Sequence, residues 1–171
     1  MKTLEIADTA DQAVRSAGSR DALRLVEDAG VRILFPSFCR QKGAYAVIND
    51  TPFIFVKQDL SDEERSMVIL HELGHHYLHS DAARMAGGFR DSMLFDRANA
   101  RMETEANLFA AQILIPDDEF SESLSEGQSL TEIAAAMNCD PNLVALKADI
   151  FISKGFPLNP QEHRNDFFRA V

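Results

Sequence analysis

Two cysteines, Cys39 and Cys139, are all that 171 residues carry. They stand far apart and neither belongs to a Cys-x-x-Cys, which excludes a disulfide framework and a thiolate metal site and implies reduced thiols. Basic residues are also few: 17 Lys and Arg against 27 Asp and Glu leave a net charge of −10. A chain of that sign repels phosphate. Nucleic-acid and anionic-membrane binding are thereby excluded as the main activity, because both depend on Lys and Arg displacing counterions. No apolar run approaches the length of a membrane span, and Met1 to Asp8 holds no apolar segment of signal-peptide length. A cytoplasmic protein is expected. Repeats and low-complexity segments are lacking too, and 46% apolar content in 171 residues suits about one soluble domain with its own core.

What the chain does have is His71-Glu72-Leu73-Gly74-His75, set among Met67, Val68, Ile69, Leu70, Leu73 and Leu78. On a helix, positions i and i+4 are about 40° apart around the axis and about 6 Å apart along it, so both imidazoles project toward one point. The apolar frame turns that face inward, where an unpaired pair of imidazoles is costly to bury. Two metal ligands are thus placed. Glu72 lies to the side of them, poorly aimed for coordination but within reach of a water at the ion, which makes it the general-base candidate.

Around this motif the pattern alternates between helix and strand signals. Residues 9 to 29 are helix-prone, interrupted at Gly18 and Ser19 and stopped by Gly30. Val31 to Phe35, Ala44 to Ile48 and Phe53 to Val56 read as strands, the last two joined by a tight turn over Asn49 to Pro52. Ser61 and Glu64 form a capping box that opens a helix from about Asp62 to about Leu78. Residues 80 to 96 are expected to be loop-like and to fold over the site, Ala98 to Ile115 to be a second long helix ended by Pro116, and Asp117 to Gln128 to be a surface connection. Residues 129 to 147 resemble a helix-turn-helix pattern, and the last twenty residues are expected to be a partly mobile tail. The fold class is α+β, with a small, mainly antiparallel three-stranded sheet packed on helices. The expected division is residues 1–128 as one unit and 129–171 as a helical extension packed on it.

A catalytic zinc site has three protein ligands and keeps one position for water. Asp81 is one candidate for the third, but the pattern that uses that spacing needs a glycine where Leu78 stands. His79 lies about 12 Å along the helix from His71, too far to share one ion, and is expected at the rim or against the second helix. The second helix offers Glu103 and Glu105, about 200° apart on the helix wheel, so only one of them shares a face with Asn107. Glu103 is the expected ligand, Asn107 the residue that orients a histidine, and Glu105 the member that faces solvent. Tyr45, Tyr77 and His76 are candidate donors to a developing oxyanion.

With these residues in place, the chain resembles the ImmA/IrrE family of bacterial and phage metallopeptidases. The likeness rests on His71-Glu72-Leu73-Gly74-His75 with the trailing Leu78-His79, followed by Glu103-x-Glu105-Ala106-Asn107-x-Phe109-Ala110-Ala111 and Leu114-Ile115-Pro116. It implies a zincin-like fold, metal ligands at His71, His75 and Glu103, Glu72 as catalytic base, and cleavage of a separate helix-turn-helix repressor inside the cell. The chemistry expected is metal-assisted peptide hydrolysis, with Glu72 taking a proton from water and returning it to the leaving amine. Zinc is the default ion, and an oxygen and nitrogen donor set also accepts manganese or iron. One of the hairpin strands is expected to supply the edge on which an extended peptide pairs, with selectivity arising from docking on residues 80 to 96 or 129 to 151.

Two rival readings are a DNA-associated regulator using residues 129 to 151 and a metal-stabilised interaction module that holds a partner without cutting it. Against the first, Glu132, Asp140 and Asp149 outnumber Lys147 in that span, leaving no phosphate-contacting stripe. Against the second, the sequence supplies a base as well as ligands.

Overall fold

The computed structural model describes residues 1–37, 41–85 and 97–159, with the backbone alone for 97–99. Its elements in chain order are α1 (Thr3–Ala17), α2 (Ala22–Asp28), β1 (Arg32–Leu34), β2 (Gly43–Ile48), β3 (Thr51–Val56), α3 (Asp62–Met85), α4 (Arg97–Leu114), α5 (Asp117–Ser125), α6 (Leu130–Ala136) and α7 (Pro141–Ser153). This is an α+β architecture. One apolar core draws residues from all seven helices and from β3.

The helix ends follow local chemistry. Asp21 accepts from the Arg24 backbone N–H at 2.9 Å to cap α2, whose run stops before Gly30 at φ 66°. At the start of α3 the Glu64 N–H donates to the Ser61 hydroxyl at 3.2 Å while Glu64 reaches back to the Ser61 N–H at 3.4 Å.

The sheet runs in the order β1-β3-β2. It is mixed: β2 and β3 form the expected antiparallel hairpin, whereas β1 lies parallel to β3 on its far side. Asn49 and Asp50 both take positive φ, 48° and 60°, so the hairpin turns on two residues, and Thr51 and Pro52 already belong to β3. Proline is tolerated in this central strand for a geometric reason. Ile48 and Thr51 flank the turn as a hydrogen-bonded pair, so Val47 and Pro52 form the next, non-bonded pair, and the missing N–H faces away from β2. On that side β1 pairs only from Phe53 onward.

Two expectations need correction. α3 does not end at Leu78: it leaves helical geometry at His79 (φ −135°, ψ 17°) and resumes as far as Met85. Ala82 and Ala83 are good helix formers, and Asp81 pairs with Arg84 one turn on, which favours the resumption over a loop. Residues 86–96 of the expected loop, and residues 160–171 of the tail, lie outside the described residues. Second, Asp117 to Gln128 is not a bare connection, because most of it is α5, pinned by a fully buried Phe120 that packs edge-to-face on Phe151 at 4.8 Å. Leu124 packs on the same core, and Asp117 at the helix start pairs with Lys147 and Lys154. The sheet is mainly antiparallel, as expected, with β1 added in parallel because it joins β3 rather than β2.

The helix-turn-helix pattern is present as α6 and α7, with Ser129 capping α6 and Asp140 capping α7 ahead of Pro141. α7 is apolar nearly all round, with Leu143, Val144, Leu146, Ile150 and Phe151 in the common core, and it packs on α1 and α4. Among the described residues no helix is long and apolar enough to cross a membrane.

Candidate metal centre

α3 and α4 pack side by side, with Gly74 directly against Ala106. A Cβ on Gly74 would stand 3.0 Å from the Ala106 Cα and 3.1 Å from its carbonyl oxygen, so a side chain there would push the helices apart. His71 stands three residues before Gly74 and His75 directly after it, and Glu103 and Asn107 stand in the same relation to Ala106. Close backbone contact therefore brings the two motifs face to face.

The result is a triangle of donor atoms. The His71 and His75 Nε2 atoms are 3.2 Å apart, with Glu103 Oε2 3.5 Å from the first and Glu103 Oε1 3.6 Å from the second. Ligands at about 2.0–2.1 Å from a tetrahedral zinc ion stand roughly 3.3 Å from one another. The three residues thus fit one ion, and among the described residues they are the group able to hold one. Asp81 is exposed and paired with Arg84, away from this triangle.

Electrostatics suit the arrangement. Burial lowers His75, and the neighbouring His71 lowers it further, to about 3. Burial works in the same direction on His71, but hydrogen bonding to Glu103 and the charges of Glu72 and Glu103 outweigh it and raise its pKa. Both imidazoles must be neutral to coordinate an ion, a state that burial favours at His75 and that a bound ion would impose at His71. His71 Nδ1 donates to Asn107 Oδ1 at 2.7 Å, which leaves Nε2 as the lone-pair nitrogen facing the triangle. Asn107 thus takes the orienting position expected of it.

Glu72 is buried, 7% exposed, and its carboxyl is pushed up to about 7, chiefly by burial and further by Glu103, with His71 acting in the opposite direction. Its carboxylate lies against the first residue of β2: a Cβ on Gly43 would stand 2.7 Å from Glu72 Oε1 and 2.5 Å from Val68 Cγ1. Gly43 was not singled out from the sequence. A glycine inside a strand marks close approach of another group, and that was the available signal.

A family model for the IrrE N-terminal-like domain matches residues 26–148, from α2 through most of α7. The chain belongs to this peptidase family. Its metallopeptidase-like domain therefore includes the sheet, both helices of the donor triangle and the helices after them as far as Ala148. A Bacillus phage phi105 protein named "uncharacterized immunity region protein 2" is 32% identical over 114 residues, covering 67% of this chain and 69% of the phage protein.

Glu105 departs from expectation. It is buried rather than solvent-facing, because His79 at the bend of α3 meets it: His79 Nε2 lies 2.8 Å from Glu105 Oε2, and Arg101 Nε donates to Oε1 at 3.0 Å, with the Met1 amino nitrogen also in contact. Burial alone would raise the Glu105 carboxyl, yet these hydrogen bonds take it down to about 2. His79 thus lies against the second helix, as expected, with its other nitrogen turned to His75. Of the candidate oxyanion donors, the Tyr45 hydroxyl and His76 Nδ1 pair with each other at 3.0 Å, while Tyr77 stacks on Phe109 at 5.4 Å.

Proposed function

We propose that this protein is a zinc-dependent endopeptidase that cleaves one specific intracellular protein, a separate helix-turn-helix repressor. The observation that carries the reading is the triangle of His71, His75 and Glu103 at tetrahedral spacing with the buried Glu72 carboxylate at its side. A bound ion would supply a water acidified toward neutrality and a polarised scissile carbonyl. The chain's own residues do the rest. His71, His75 and Glu103 would hold the ion, Asn107 would keep His71 in its coordinating orientation, and Glu72 would take a proton from the attacking water and pass it to the leaving amine. β2 is an outer strand of the sheet, packed on α3 beside Glu72, and its outer edge, unpaired with any strand among the described residues, offers an extended peptide a row of backbone donors and acceptors.

The name of the phage phi105 relative, an immunity region protein, fits a repressor as the partner. A role on DNA is disfavoured because Lys147, the one basic residue of positions 129 to 151, is fully buried and paired with Asp117. A module that binds without cutting has no need of a buried carboxylate beside its ion.

The test is a mass-spectrometric digest of a repressor encoded beside this protein, with zinc and with chelator. One or a few cuts that chelator abolishes are expected, together with poor activity on casein-like unfolded protein. Rapid, unselective digestion of denatured proteins would make a general degradative peptidase the better reading.

A further inference from the structure

The two histidines of the motif are held from behind in different ways. Each turns Nε2 toward Glu103 and leaves Nδ1 to be fixed by a neighbour. For His71 the neighbour is the Asn107 carboxamide oxygen. For His75 it is a third imidazole, His79, whose Nδ1 lies 3.1 Å from His75 Nδ1.

With no ion between them, two ring nitrogens at that distance share one hydrogen, so one donates and the other accepts. His79 Nε2 is 2.8 Å from Glu105 Oε2, and Glu105 is a carboxylate that already accepts from Arg101 at its other oxygen. His79 Nε2 therefore carries the hydrogen and donates it to Glu105. In neutral His79 the Nδ1 lone pair is then free to accept from His75 Nδ1–H, which leaves His75 Nε2 as a lone pair aimed at the triangle. The reverse direction would put the hydrogen on His75 Nε2, where it would block coordination. The bend of α3 at His79 lies at this contact, and both partners are nearly enclosed, with side chains 8% and 9% exposed.

We propose that His79, held by Glu105, is a positioning residue that fixes His75 in its metal-coordinating form, as Asn107 does for His71. The proposal rests on the metal-centre reading given above. Its sequence signature is a histidine four positions after His75 and a glutamate two positions after Glu103.

The experiment uses the full zinc-loaded chain, with affinity measured by chelator competition and the imidazole hydrogens followed by long-range proton–nitrogen NMR. His79→Ala is expected to weaken zinc binding about 10- to 100-fold. It should also expose the His75 Nδ1 hydrogen to rapid exchange with water while that of His71, held by Asn107, persists. His79→Asn places a carboxamide oxygen where Nδ1 was, and should recover the His75 signal and most of the affinity. Wild-type affinity and an unchanged His75 signal in His79→Ala would overturn the proposal. So would equal weakness of His79→Ala and His79→Asn, which would make the residue a packing element. The parent reading fails separately: it falls if His71→Ala and His75→Ala both keep stoichiometric zinc.

Discussion

Glu72 lies directly against the backbone of Gly43, its Oε1 only 2.7 Å from the point where any other residue would carry a Cβ. The base of the proposed reaction is therefore seated by a strand that the metal-binding motif does not include. Gly43→Ala should displace Glu72 or Val68 and cost about 1–3 kcal/mol of stability, as overpacked sites do. Zinc content should stay near stoichiometric, because no ligand is touched, while kcat falls well below wild type. Steady-state kinetics beside elemental analysis reads both, and an unchanged kcat would show that the carboxylate does not need this seat.

Glu72→Gln separates base from ligand. The carboxamide keeps the shape but cannot take a proton, so metal is retained and hydrolysis falls by roughly 10²- to 10⁴-fold, the usual contribution of a general base. His71→Ala should lose both metal and activity. Wild-type turnover by metal-loaded Glu72→Gln would remove Glu72 from the mechanism.

The acidic residues near the site should rank in order of their distance from the ion. Glu103→Ala deletes a ligand and should lose metal severely; Glu105→Ala acts through His79 and should lose less; Asp81→Ala, at an exposed pair with Arg84, should change nothing. Metal titration of the three variants checks the order. Metal loss in Asp81→Ala with retention in Glu103→Ala would reverse the assignment.

Asp117 should set part of the acid stability. Burial would raise its carboxyl, but the hydrogen bonds and charges of Lys147 and Lys154 prevail and take it to about 2, below its ordinary 3.8. Lys147, by contrast, is pushed down to about 8 because burial outweighs its attraction to Asp117, so it is still charged at neutral pH. A carboxylate depressed in the folded chain stabilises above its unfolded pKa, and that stability disappears as pH falls from about 4 to about 2. Asp117 is half-exposed, so screening keeps the effect small. Urea midpoints should fall more steeply over that window in the wild type than in Asp117→Asn, and parallel curves would refute the assignment.

The two halves of the donor triangle were legible in the sequence because each is local to one helix. Helical periodicity alone aims His71 and His75 at one point, and on α4 it puts Glu103 and Asn107 on one face. Caps such as Ser61 with Glu64 are equally local, being settled within four residues. What escaped the sequence depends on which surfaces meet. Glu105 reads as a solvated acid until the bend in α3 brings His79 to it. Asp117 to Gln128 reads as a surface connection until Phe120 finds Phe151. The side on which β1 joins β3, and the role of Gly43 as a seat for Glu72, follow from long-range packing that no window of residues encodes. Periodicity determines which face a side chain occupies. Only the tertiary structure decides what stands opposite that face, because burial and pairing are properties of two segments at once.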